Sequence, residues 1–149
     1  MFRPLRAFAV LIMSVALPAS VAAVEEPMRL SVDASTAPGR VLHVQLAIPV
    51  RPGPLTLLYP KWIPGNHMPS GPIADLAGLR LSAGGRPVEW RRDPVDPYVF
   101  RCRVPAGASQ LDVAFDRLQS PAGAFASGRS LTSQLAVLDW NELLLYPAG

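Results

Sequence analysis

The stretch Val41–Val50 constrains the fold more than any other part of the chain. Leu42, Val44, Leu46 and Ile48 fall on one face of an extended backbone, and His43, Gln45 and Ala47 on the other. A period of two belongs to a strand with one buried face. The same alternation recurs in Met28–Ala34 and in Leu111–Asp116, where Leu111, Val113 and Phe115 oppose Asp112 and Asp116. With 17 prolines and 11 glycines spread between such runs, long helices have little room. The pattern predicts an all-β fold, an antiparallel β-sandwich.

Further strands are predicted at Leu55–Tyr59 and Tyr98–Val104. A hairpin is expected from Leu79–Ser82 and Pro87–Arg91, where Gly84-Gly85 supplies the positive φ of a tight turn. Tyr98–Val104 and Leu111–Asp116 read as a second alternating pair joined by Pro105–Ser109. Residues 119–130 read as a small-residue loop. Leu135–Tyr146 is apolar enough for a central strand, or two strands bent near Asn141-Glu142. The chain then closes on the turn residues Pro147-Ala148-Gly149. We therefore expect a sandwich incomplete at its C-terminal end, a fragment of something longer, with 135–146 exposing a strand edge.

The N-terminus carries a different signal. Arg3 and Arg6 precede the uncharged run Ala7–Leu17; Pro18 and the small residues Ala19–Ala23 follow. These are the three parts of a secretory leader, with cleavage after Ala22 or Ala23. The apolar run is shorter than the roughly 20 residues that a membrane span needs. Residues 1–23 are read as a signal peptide and 24–149 as one domain, exported to the periplasm or beyond, with no membrane attachment after cleavage. The formal charge of +3 includes two leader arginines, so the mature part is near +1. Without a clustered basic surface, nucleic-acid binding is excluded. The lone Cys102 can form no internal disulfide and reads as a small buried hydrophobe.

Catalytic constellations are missing. The sequence contains no His-Glu-x-x-His, no His-x-x-Glu-His and no Gly-x-Ser-x-Gly, and its two histidines, His43 and His67, have no cysteine near them. The candidate site is thus neither catalytic nor metal-binding, and no cofactor is expected in this chain. Asp93 with Asp96, or Asp112 with Asp116, could form carboxylate pairs; a solvated face is the plainer reading. One segment has an unusual signature: Tyr59-Pro60-Lys61-Trp62-Ile63-Pro64-Gly65-Asn66-His67-Met68-Pro69-Ser70-Gly71-Pro72-Ile73. Its prolines make a stiff loop outside any sheet. As a candidate contact loop it would present Trp62, Pro64, Gly65, Asn66 and His67 to a ligand or a neighbouring domain. The simpler expectation places Trp62 in the core as a plug and leaves Asn66 and His67 as ordinary surface residues.

Trp62-Ile63-Pro64-Gly65 resembles the Trp-x-Pro-Gly signature in the N-terminal domain of the glycyl aminopeptidase family of zinc metallopeptidases, metallopeptidase family sixty-one. The resemblance runs through residues 55–79 and continues in Glu89-Trp90-Arg91-Arg92-Asp93-Pro94, Leu138-Asp139-Trp140-Asn141 and Leu145–Gly149. It implies a three-part parent: this β domain, a thermolysin-like zinc domain, and often a C-terminal peptide-binding domain. The implied role is to pack on the catalytic domain and flank its substrate cleft, with peptide as a possible ligand. Zinc would belong to that catalytic domain, since no family zinc ligand or catalytic Glu maps onto a residue here. The rival expectation is an independent secreted binding module using loop 60–75.

Overall fold

In the computed structural model, which describes residues 26–119 and 131–149, the alternating runs become nine strands. They are β1 (Arg29–Asp33), β2 (Val41–Pro49), β3 (Gly53–Leu58), β4 (Leu76–Ala83), β5 (Arg86–Pro87), β6 (Trp90–Arg92), β7 (Val99–Val104), β8 (Gln110–Leu118) and β9 (Tyr146–Pro147). All pair antiparallel, in one sheet of order β1-β2-β8-β4-β5 and a second of order β6-β7-β3-β9. Three 3-10 turns, Ala37–Gly39, Ile73–Asp75 and Trp140–Glu142, complete the regular structure among the described residues.

The two sheets share one core. Leu42, Val44, Leu46 and Ile48 of β2 and Leu111, Val113 and Phe115 of β8 face Leu57 and Phe100 from the second sheet, all of them buried. Each such side chain stabilises the fold by about 1.5–3 kcal/mol relative to exposure, so the alternation of β2 and β8 dictates which face turns inward. In β4 the parity shifts. Leu76, Leu79 and Leu81 are all buried, a step of three followed by a step of two. Pairing with β8 is irregular between Ala77 and Arg80, and Gly78 sits there at φ +61°. The bulge resets the alternation so that both Leu76 and Leu79 reach the core.

Several sequence expectations need correction. The turn at Gly84-Gly85 forms, with φ of +55° and +75°. Beyond it, however, Arg86–Pro87 pair with β4 and the Val88 N–H donates to the Leu81 carbonyl (2.9 Å), and the hairpin goes no further. Val88 drops into the core, and β6 crosses to the second sheet. Trp90 turns the chain there: its indole N–H donates to the Leu79 carbonyl (3.3 Å), and its ring meets Phe100 edge-on at 5.6 Å. Nor are β7 and β8 partners. Pro105–Ser109 arches between sheets, because both strands bury one face of the same core from opposite sides.

Leu135–Tyr146 is not a strand. Leu131 and Ala136 form a single bridge, Trp140–Glu142 makes a 3-10 turn, and only Tyr146–Pro147 pairs, with β3. Leu143 and Leu145 are buried between the sheets, so the apolarity of this segment reflects core filling rather than sheet membership. The expected strand edge over 135–146 therefore shrinks to the two residues of β9, the outer strand of the second sheet. The leader, and the 119–130 loop beyond Gln119, lie outside the described residues. No described helix is long and apolar enough to cross a membrane.

Candidate functional site

The loop that follows β3 is built on a closed base. Gly71 donates its N–H to the Lys61 carbonyl (3.0 Å). The Gly71 carbonyl accepts from the Tyr98 hydroxyl (2.8 Å) and from the Ile73 N–H (2.8 Å). The latter closes an inverse γ-turn at Pro72, whose φ and ψ are −80° and 61°. A Cβ on Gly71 would lie 1.9 Å from the Pro60 carbonyl oxygen, so only glycine fits there. Lys61 Nζ reaches Asp96 (3.0 Å) and lies 5.4 Å from the centroid of the Tyr98 ring. Asp96 also accepts from the Tyr98 N–H, and these contacts hold its carboxyl below the usual range, the Lys61 bond first.

Within the loop, Asn66 N–H donates to Ile63 O (3.0 Å), with Pro64 second and Gly65 third at φ +85°. This is a type II turn in its preferred residues. Asn66 Nδ2 then bonds Ser70 Oγ (2.6 Å). The turn tips the following stretch outward: Pro64, Gly65, Asn66, His67 and Met68 are all exposed. Trp62 is 64% exposed. It is therefore not the core plug the sequence suggested, because Tyr59, Leu143 and Leu145 already close the core at this end.

Beneath the loop lies a cluster that sequence reasoning missed. Arg117 of β8 points inward and is 1% exposed. Its Nη1 meets Asp75 Oδ2 and its Nη2 meets Glu142 Oε2, each at 2.8 Å; Nη1 also donates to the Leu118 carbonyl. Nε has no acceptor among the described residues. Tyr59 donates its hydroxyl to the Glu142 carbonyl (2.8 Å). Burial drives the Tyr59 pKa far up, only partly offset by Arg117. One signal was available: Arg117 continues the inward parity of Leu111, Val113 and Phe115. A single guanidinium thus joins the end of the loop, β8 and the 3-10 turn at Trp140–Glu142.

The remaining polar residues pair outside the core. His43 Nδ1 and Asp116 Oδ1 stand 2.7 Å apart across β2 and β8, on the outer face of the first sheet. Asp93 binds Arg101, and Asp112 accepts from Gln110. The suggested carboxylate pairs do not form, because each acid has its own donor. Cys102 is half-buried, and burial raises its thiol pKa, which makes it a poor nucleophile. Among the described residues no three His, Cys, Asp or Glu converge to hold a metal. A cavity of about 650 Å³ lies along the first sheet beside Gln45, Arg80, Glu89 and Asp112. Another of about 440 Å³ lies beside Arg91, Arg101 and Arg103. Neither is lined by the exposed loop residues.

The family described as Peptidase M61 N-terminal domain matches residues 29–149. The fold is similar to the crystal structure of an aminopeptidase N family protein from Idiomarina loihiensis, with a TM-score of 0.66 at 15% identity. That alignment covers 83% of this chain and 20% of the other. No curated protein matches.

Proposed function

Because the chain belongs to the N-terminal domain family of M61 peptidases, we propose that it is the non-catalytic β-sandwich of an exported glycyl aminopeptidase-like zinc metallopeptidase. In this reading it packs on the catalytic domain and walls one side of the substrate cleft. The observation that carries the reading is the loop with its base closed by Gly71, Tyr98 and Lys61 and its Trp62 in solvent. A rigid loop loses little entropy when it is covered, and an exposed tryptophan gains more from being covered than any other side chain. The zinc and the water it activates would be supplied by the catalytic domain. Export rests on the leader formed by Arg3, Arg6, Ala7–Leu17 and the small residues ending at Ala23. N-terminal sequencing of the product from an exporting host checks it, with Ala23 or Val24 expected first.

The central test is activity. The purified chain should hold no stoichiometric zinc and release no N-terminal Gly or Ala from peptides. Added to a zinc domain of the same family made without its own β domain, it should raise peptidase activity. Metal-dependent activity of the chain alone, or no effect in trans, would overturn the reading. The second reading, a free-standing binding module, is favoured by the solvent-facing Asn66 and His67 beside Trp62. It predicts peptide binding without any zinc domain.

A further inference from the structure

We propose that loop 60–75 and the segment 131–147 form one docking face, anchored by Trp62 and Trp140, whose occupant is the zinc domain. This rests on the function proposed above and extends it to a second segment and a second anchor. Nine large hydrophobic residues are exposed among those described, and six of them belong to these two segments: Trp62, Met68, Leu135, Val137, Trp140 and Tyr146. Trp140 is 58% exposed. The third tryptophan, Trp90, is partly buried: it packs on Phe100 and bonds the Leu79 carbonyl, contacts not seen at Trp62 or Trp140 among the described residues.

The two segments meet at one end of the sandwich. Tyr59, three residues before Trp62, bonds the carbonyl of Glu142, two residues after Trp140. Arg117 bridges Asp75, at the end of the loop, to the same Glu142, and Leu58 pairs with Tyr146. Both tryptophans are therefore held on one rigid frame. Residues 62–70 and 131–138 contain no Asp, Glu, Lys or Arg. Charge returns at the borders of these runs, at Lys61 and Asp139, and on the face Trp, Tyr and Met stand among uncharged polar residues such as Asn66 and Gln134, the aromatic anchors and low charge of an interface core. The two cavities described above lie away from Trp62 and Trp140, whose rings stand open to solvent as suits contact with another protein surface. The chain aligns with only 20% of the aminopeptidase N family protein, so in a protein of that length most of the polypeptide is available to cover it.

The test uses this chain and a separately produced zinc domain of the same family, with binding followed by calorimetry. Trp62→Ala and Trp140→Ala should each weaken binding at least tenfold. Met28→Ala, an exposed hydrophobe on neither segment, should leave it unchanged. Thermal unfolding of each variant near the parent value shows that the frame is intact. If the parent chain binds and Trp140→Ala binds equally well, the docking face is wrong while the proposed function stands. If the parent chain does not bind at all, the proposed function fails and this inference with it. Tryptophan-dependent self-association, seen by sedimentation, would assign the face to a second copy and overturn the choice of occupant.

Discussion

Asp116 and Arg117 sit side by side on β8 and face opposite sides of the first sheet. Asp116 points outward to His43, at 2.7 Å, with both side chains partly in water. Arg117 points inward, 1% exposed, and shares its charge between Asp75 and Glu142. The pairings are equally short, yet water screens the outer pair, which holds little of the fold's free energy. The inner cluster has surrendered its hydration and depends on its partners. A one-residue step along a strand decides which regime applies.

The inner cluster gives the largest expected effect. Arg117→Ala leaves two carboxylates without their shared cation and should destabilise the chain by about 3–5 kcal/mol, measured by urea unfolding. Against a typical total of about 5–15 kcal/mol, the variant would sit near the unfolding threshold. A loss below about 1 kcal/mol would mean that the cluster is hydrated and that the contrast with Asp116 fails.

Tyr59→Phe sharpens the same point at smaller scale. It removes the hydroxyl donated to the Glu142 carbonyl and should cost about 0.5–1.5 kcal/mol. It should also change the response to alkali. Burial raises the folded pKa of Tyr59 above its ordinary value of 10.0. A raised pKa contributes stability that is complete below the unfolded value and declines as pH rises past it. The parent chain should therefore lose stability above about pH 10, and Tyr59→Phe should lose less. Identical alkaline slopes would show that Tyr59 does not stay neutral.

How much of this was legible depended on parity. Alternation in β2 and β8 gave the inward faces directly, because a strand repeats every two residues. It misled where chain and sheet parted company. Leu135–Tyr146 looked like a strand because it is apolar, but Leu143 and Leu145 fill the core from irregular backbone. β7 and β8 looked like a hairpin because nothing local records which sheet a strand joins. Trp62 looked buried because tryptophan usually is, whereas the Pro64-Gly65 turn and the place already held by Tyr59 decide otherwise. Arg117 was readable from inward parity alone; its partners, 42 and 25 residues away, were not.

The outer pair supplies the counter-test. His43→Ala should cost less than about 1 kcal/mol, in low salt and in about 1 M salt alike. A loss above about 2 kcal/mol, insensitive to salt, would place His43 and Asp116 in the same regime as Arg117. The distinction drawn between the two faces of β8 would then collapse.

The smallest effect is expected at Asp93, in the join between β6 and β7, and it shows through pH. Arg101 donates to Oδ2 through Nε (3.1 Å) and Nη2 (2.8 Å), and the N–H groups of Asp96 and Val95 donate to Oδ1. These bonds, Arg101 first, hold the carboxyl at about 2, against an ordinary 3.8. A depressed pKa contributes stability that is present above the unfolded value and is lost as pH falls toward the folded one. Asp93→Asn should therefore be less stable than the parent near pH 6, with the gap closing between about pH 4 and pH 2. Thermal unfolding across that range measures it. A gap that stayed constant down to pH 2 would show that the ionised form of Asp93 gains nothing from Arg101. The short bond on the surface would then be, like the pair at Asp116, a matter of geometry with little free energy behind it.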